Sequence, residues 1–178
     1  TATFREALTI LKTEKRILGG TLALNSYAIY LNERRFGERV ENKERALALA
    51  QEAIDLIEGD RENFDESNDY LLRTIAGPYL TKSNVILQRE VGDDYSAHKA
   101  GIDALHSAWD KLGKSQDDQL RGIIKLNLGH AYIALYAMTG DTSGARDAMY
   151  AYHEAEGLLH AYPLEYSQAI LGTAMLVS

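Results

Sequence analysis

LGHAYIALYAMTGDTSGARDAMYAYHEAEGLLHAYP, residues 128–163, is the stretch that decides the fold. Its opening continues an apolar stripe in which Leu120, Ile123, Ile124, Leu128, Ala131, Tyr132 and Leu135 recur at helical spacing, interrupted once by Asn127. That periodicity marks one face of a helix. Gly140 ends it, because glycine just past a helix C-terminus takes the left-handed conformation that other residues resist. A second helix follows with Ala148, Tyr152 and Ala155 at spacings of four and three on one face, and Pro163 stands where it stops. Two helices joined by so short a loop pack antiparallel, and small residues let their axes approach to about 8–10 Å.

Working outward, the small-large-small set recurs as Ala97, Gly101 and Ala104 and again as Ala46, Ala50 and Ala53, each step 51 residues. Phe4 and Ala7 supply its last two members at the start of the chain. The alternate helices carry a second landmark: Leu128-Gly129 with Tyr132, Leu171-Gly172 with Met175, Ala76-Gly77 with Leu80, and Leu24-Asn25 with Ala28. Positions 25, 77 and 129 are 52 apart, and 172 follows after 43. A repeat near 52 residues therefore organises the chain.

Punctuation agrees. Gly59, Gly92, Gly113 and Gly140 each follow a helix-compatible run, while Asn42, Ser67, Asp94 and Ser115, the last with Asp118 three residues on, stand where helices begin. The expected helices are 2–18, 20–35, 43–58, 67–91, 94–112, 116–139, 143–161 and 164–178, with no strand. An all-α superhelix of about seven or eight helices in antiparallel pairs follows. Residues 1–178 form one domain, in keeping with the length and the 46% apolar content.

Leu-Gly-x-x-Tyr in a first helix, Ala-x-x-x-aromatic-x-x-Ala in a second and then proline resembles the tetratricopeptide repeat signature, carried best by Leu128, Gly129, Tyr132, Ala148, Tyr152, Ala155 and Pro163. The chain departs from the family in placing Lys125 where an early Trp is usual, and in exceeding the usual period of about 34 residues. The resemblance implies that the first helices of the pairs line a concave groove. Flanking the Leu-Gly landmark, Leu22, Ser26, Ile29 and Tyr30, then Thr74, Pro78, Thr81 and Lys82, then Leu126, His130, Ile133 and Ala134 would face it. Ser26, Tyr30, Thr81, Lys82 and His130 are the expected partner contacts, supplying orientation among apolar pockets. The Lys/Asn/Arg carboxylate clamp of some relatives is absent from these positions.

Composition limits the alternatives. A net charge of −7 opposes wholesale nucleic-acid binding, although residues 1–45 hold nine basic and six acidic side chains. With no cysteine there is no disulfide or thiolate site, and no run reaches a membrane span, so the expected setting is cytoplasmic without membrane contact. A first residue other than Met and an apolar closing stretch from Ile170 to Val177 read as a piece of a longer chain.

Chemistry is thinly represented. His153, Glu156 and His160 share a helix face with metal-ligand residue types, but solvated side chains explain them. Asp103, His106 and Ser107 have triad residue types on one helix, where neighbours 106 and 107 diverge by about 100°. Asp93-Asp94 and Asp117-Asp118 suit helix starts, and the acidic run from Asp60 to Asp69 reads as a solvated linker. Pro78, mid-helix, removes one amide donor and predicts a kink or a break. No nucleotide loop or metal motif occurs, so no catalytic, cofactor or metal site is expected. The expected partner is a protein or peptide. A ligand-sensing regulator is the alternative, requiring a deep pocket around Tyr30, Lys82 and His130, and an all-α enzyme is the third.

Overall fold

Local signals place the helix ends, and the computed structural model describes residues 17–34, 38–60, 64, 68–88, 95–113 and 115–177. Among them lie seven helices and no strand: α1 Ile17–Glu33, α2 Arg39–Glu58, α3 Asp69–Leu87, α4 Tyr95–Leu112, α5 Asp118–Thr139, α6 Thr142–Leu159 and α7 Pro163–Val177. The expected helix 2–18, with Phe4 and Ala7, falls outside the described residues except for its last two positions, which open α1.

Side-chain caps fix three of the starts. The Asn68 side chain accepts from the Leu71 amide at 3.3 Å, Asp117 from Leu120 at 2.9 Å, and Asp141 from Ser143 at 2.9 Å. The bonds from Ser143 hold the Asp141 carboxyl below its ordinary pKa. The cap of α5 is thus Asp117 and not Ser115, whose hydroxyl accepts from the Asp117 amide. An ion pair to Arg73 Nε at 2.7 Å fixes the Asp117 carboxylate in place. Helix α2 begins at Arg39, before the expected Asn42, because packing rules there. Asn42 and Lys43 are buried, Glu38 makes no side-chain cap, and the Lys43 ammonium bonds the Gln88 carbonyl at the end of α3. Of the glycine stops, Gly140 is left-handed, with φ 70°, whereas Gly59 ends α2 in a right-handed conformation. Gly92, Ser67 and Asp94 lie outside the described residues. The expected break at Pro78 does not occur. Helix α3 runs through it with the ring fully buried, and burial of the ring offsets the one missing bond.

Sequential helices pack antiparallel, as cross-helix contacts record: Gly20 at the start of α1 meets Leu56 near the end of α2, Gly101 of α4 meets Leu87 of α3, and Gly122 of α5 meets Leu159 of α6. The backbones of α1, α3, α5 and α7 also approach one another in succession. Successive even helices stand farther apart and are bridged by long side chains, such as Lys111 to Glu58 at 2.5 Å. A row that touches along one side and spreads on the other must curve toward the touching side. The odd helices therefore form the inner face, in the manner of a helical repeat.

The core is a series of clusters along the stack. Ala28, Leu31, Ala46, Ala50 and Val85 join α1 and α2 to α3; Leu72, Leu105, Leu112, Ile124 and Leu128 join α3 to α5; Leu126, Tyr152, Leu159 and Ala169 join α5 to α7. Each fully buried Leu or Ile contributes about 1.5–3 kcal/mol.

Candidate functional site

The inner face is assembled by positions seven and four residues apart, which return to nearly the same side of a helix. On α3 these are Gly77, Asn84 and Gln88; on α1, Asn25 and Asn32; on α5, Asn127. Asn25 lies against Gly77, whose missing Cβ leaves room for it at 3.0 Å. Asn32 Nδ2 donates to Gln88 Oε1 at 3.1 Å, and Asn127 Nδ2 donates to Asn84 Oδ1 at 3.2 Å. Side-chain amides thus stitch the parallel odd helices together. The Oδ1 atoms of Asn25 and Asn32 are enclosed without a partner, and such groups cost about 1–3 kcal/mol each.

Apolar residues flank these amides. Leu22 and Ile29 stand beside Asn25 and are partly exposed; Ile123 and Ala134 stand beside Asn127; on α7, Leu164, Leu171 and Met175 repeat the seven-and-four spacing and are widely exposed, Leu171 at 63% and Met175 at 75%. Charge is sorted between the rows. No carboxylate occurs in residues 18–32, 70–87, 119–139 or 166–177, whereas α2 alone carries Glu41, Glu44, Glu52, Asp55 and Glu58.

No family model, curated protein or solved structure matches the chain.

The five expected partner contacts are scattered. Ser26 and Tyr30 are exposed on α1, Tyr30 at 55% with its ring stacked on Tyr27 at 6.0 Å. Thr81 is 5% exposed and offers no side chain to a partner, and its helical neighbours Thr74 and Pro78 are buried with it. Lys82 points away from the inner face, donating to Gln51 of α2 at 2.8 Å. His130 is exposed on α5, its ring edge-on to Tyr152 at 5.6 Å, and loss of solvent lowers its pKa. On α3 the expected set is therefore rotated into the core and toward α2. The open side belongs to Gly77, Asn84 and Gln88, for which Asn127, a lone amide in an apolar stripe, was the sequence cue.

Among the described residues, one surface cleft is formed by Asn32, Glu33, Arg34, Arg39 and Gln88 and another by Glu58, Tyr79, Ser107, Asp110 and Lys111, and Tyr30, Lys82 and His130 line neither of these. Glu58 in the second cleft accepts from Tyr79 Oη at 2.6 Å and from Lys111, which makes it a clamp between helices. Asp103, His106 and Ser107 do not converge: His106 Nε2 meets Tyr132 Oη at 2.8 Å, while the Ser107 hydroxyl donates to the Asp103 backbone carbonyl. His153 Nδ1 lies 3.4 Å from Glu156, whose other contact is the Thr173 hydroxyl at 2.6 Å, and His160 turns to the Gly157 carbonyl. Among the described residues no group of three His, Asp or Glu is placed to share an ion, and no helix is long and apolar enough to cross a membrane.

Proposed function

We propose that the chain is a non-catalytic, tetratricopeptide-like scaffold that binds a protein or peptide along its inner face. The observation that carries this reading is the sorting of chemistry between rows: inner helices whose carboxylates stand only at their ends, at Glu33, Asp69, Asp118 and Glu165, bearing exposed Leu22, Ile29, Leu171 and Met175 among side-chain amides, and outer helices with acid along their length. Apolar surface left in water is a standing cost unless something covers it. Amides placed among it add direction without net charge. An apolar or mildly acidic segment suits such a face, and nucleic acid is repelled by the acidic exterior.

Panning a random peptide library tests the reading. Selected peptides should be rich in apolar residues, should lose binding to Ser26→Glu/Ile29→Glu, and should keep it for the outer-face variant Asp103→Lys. Peptides indifferent to the inner-face variant would refute it.

A further inference from the structure

One line of α7 stands in water. Leu164, Leu171 and Met175 are 70%, 63% and 75% exposed, more than any other large apolar side chain among the described residues. With Gln168 they recur at spacings of four, three and four, which places all four within about 60° of one another around the helix. Exposed Ser167 and Ala174 flank the line, and small residues there let a second helix approach to about 8–10 Å. The opposite side of α7 is already used: Tyr166, Ala169 and Leu176 pack into the last core cluster, and Gly172 lies against Tyr152.

Charge says what kind of surface this line fits. Glu165 is the only charged residue in α7, and it is drawn aside toward α5, where Gln119 Nε2 donates to it at 3.4 Å. A basic partner would be drawn to the acidic outer helices, and an anionic lipid surface needs cations that α7 lacks. Copies of this chain, each with a net charge of −7, repel one another over most of their surface, and a charge-free apolar line is where they can touch. The spacing supplies the match. Four-three-four reads the same in both directions, so two α7 helices laid antiparallel set Leu164 against Met175 and Gln168 against Leu171, and each contact occurs twice about a two-fold axis. Antiparallel alignment also opposes the helix dipoles.

We infer that α7 is a self-association seam, through which two copies of the chain pair antiparallel about a two-fold axis at the level of residues 169 and 170. A contact of about three turns per helix falls at the small end of stable interfaces, below about 1,200 Å², so the dimer is reversible and forms with rising concentration. This goes beyond the proposed function: pairing covers the α7 end of the inner face and leaves Leu22, Ile29 and Ile123 to the partner.

Sedimentation velocity on the full chain across a concentration series tests the pairing. The unaltered protein should shift from one chain mass toward two as concentration rises, and α7 amides that exchange fast in dilute protein should slow in concentrated protein. Leu171→Glu, at an exposed position, sets two carboxylates beside the axis and should abolish the shift, while circular dichroism shows unchanged helical content. Disulfides read the geometry independently of that variant, without background in a chain that has no cysteine. Leu164→Cys mixed with Met175→Cys should oxidise to a covalent dimer. Neither variant alone should, because its two thiols would stand about 16 Å apart along the axis, beyond the reach of a disulfide. A single chain mass at every concentration, a dimer that survives Leu171→Glu or leaves α7 exchange unchanged, no disulfide from the mixture, or a disulfide formed by either variant alone overturns the inference.

Discussion

Tyr152 is held between two helices that have no side chain at the point of contact. A Cβ on Gly129 would lie 2.5 Å from one edge of its ring, and a Cβ on Gly172 would lie 2.5 Å from the ring as well. Gly129→Ala should therefore destabilise the protein by about 1–3 kcal/mol in urea unfolding, and the cost of that methyl should shrink in a Tyr152→Leu background, because the clash has one named partner. Burial also pushes the Tyr152 hydroxyl pKa up to about 12 from its ordinary 10.0. The unfolded chain then ionises first, so stability is intact below pH 10 and is lost as pH rises toward 12. Tyr152→Phe should flatten that alkaline decline. His130 has the opposite sense: its pKa is lowered from 6.5, so the unfolded state takes up the proton first and stability falls as pH drops below about 6.5. His130→Gln should reduce that acid-side slope in thermal unfolding. The landmark glycines were legible in sequence as close-approach sites, but their shared spacing hid different tasks. Gly77 makes room for Asn25, while Gly129 and Gly172 make room for the same tyrosine.

At the scale of helices, the small-residue sets did what their spacing implied. Ala46, Ala50, Ala53, Ala104, Ala148 and Ala155 are all buried. Ala50→Leu should cost about 1–3 kcal/mol by overpacking, whereas Ala48→Leu, on the exposed side of the same helix, should be nearly neutral. Comparing the two in chemical denaturation isolates the helix contact from helix propensity, which Leu and Ala nearly share. The order and most boundaries of the seven described helices were legible because periodicity and punctuation act locally. The open face of α3 was not. Its side depends on where α1, α2 and α5 stand around it, and taking Thr74, Pro78, Thr81 and Lys82 as its surface displaced the face by a fraction of a turn, into neighbouring helices. Exposure of Ser26, Tyr30 and His130 does follow from the sequence periodicity, since all three fall off the apolar stripes of their helices.

Over the described helices, each touches only near neighbours, so stability is close to a sum of joints. The α3 to α6 core cluster is covered on both sides, while α7 leaves Leu164, Leu171 and Met175 in water. Amide hydrogen exchange should be slowest in α4 and α5 and faster in α7. Uniform protection would mean that the joints are strongly coupled. The sole tryptophan lies at the central joint. Trp109 of α4 has the Lys125 ammonium 4.0 Å and the Arg121 guanidinium 5.1 Å from its ring centre, both from α5. Parting α4 from α5 removes both cations at once and shifts the emission, while fraying at either end leaves it untouched. The protein thus carries its own optical gauge of the middle of the stack, and any lag between that signal and total helix content would time the order in which the repeats come apart.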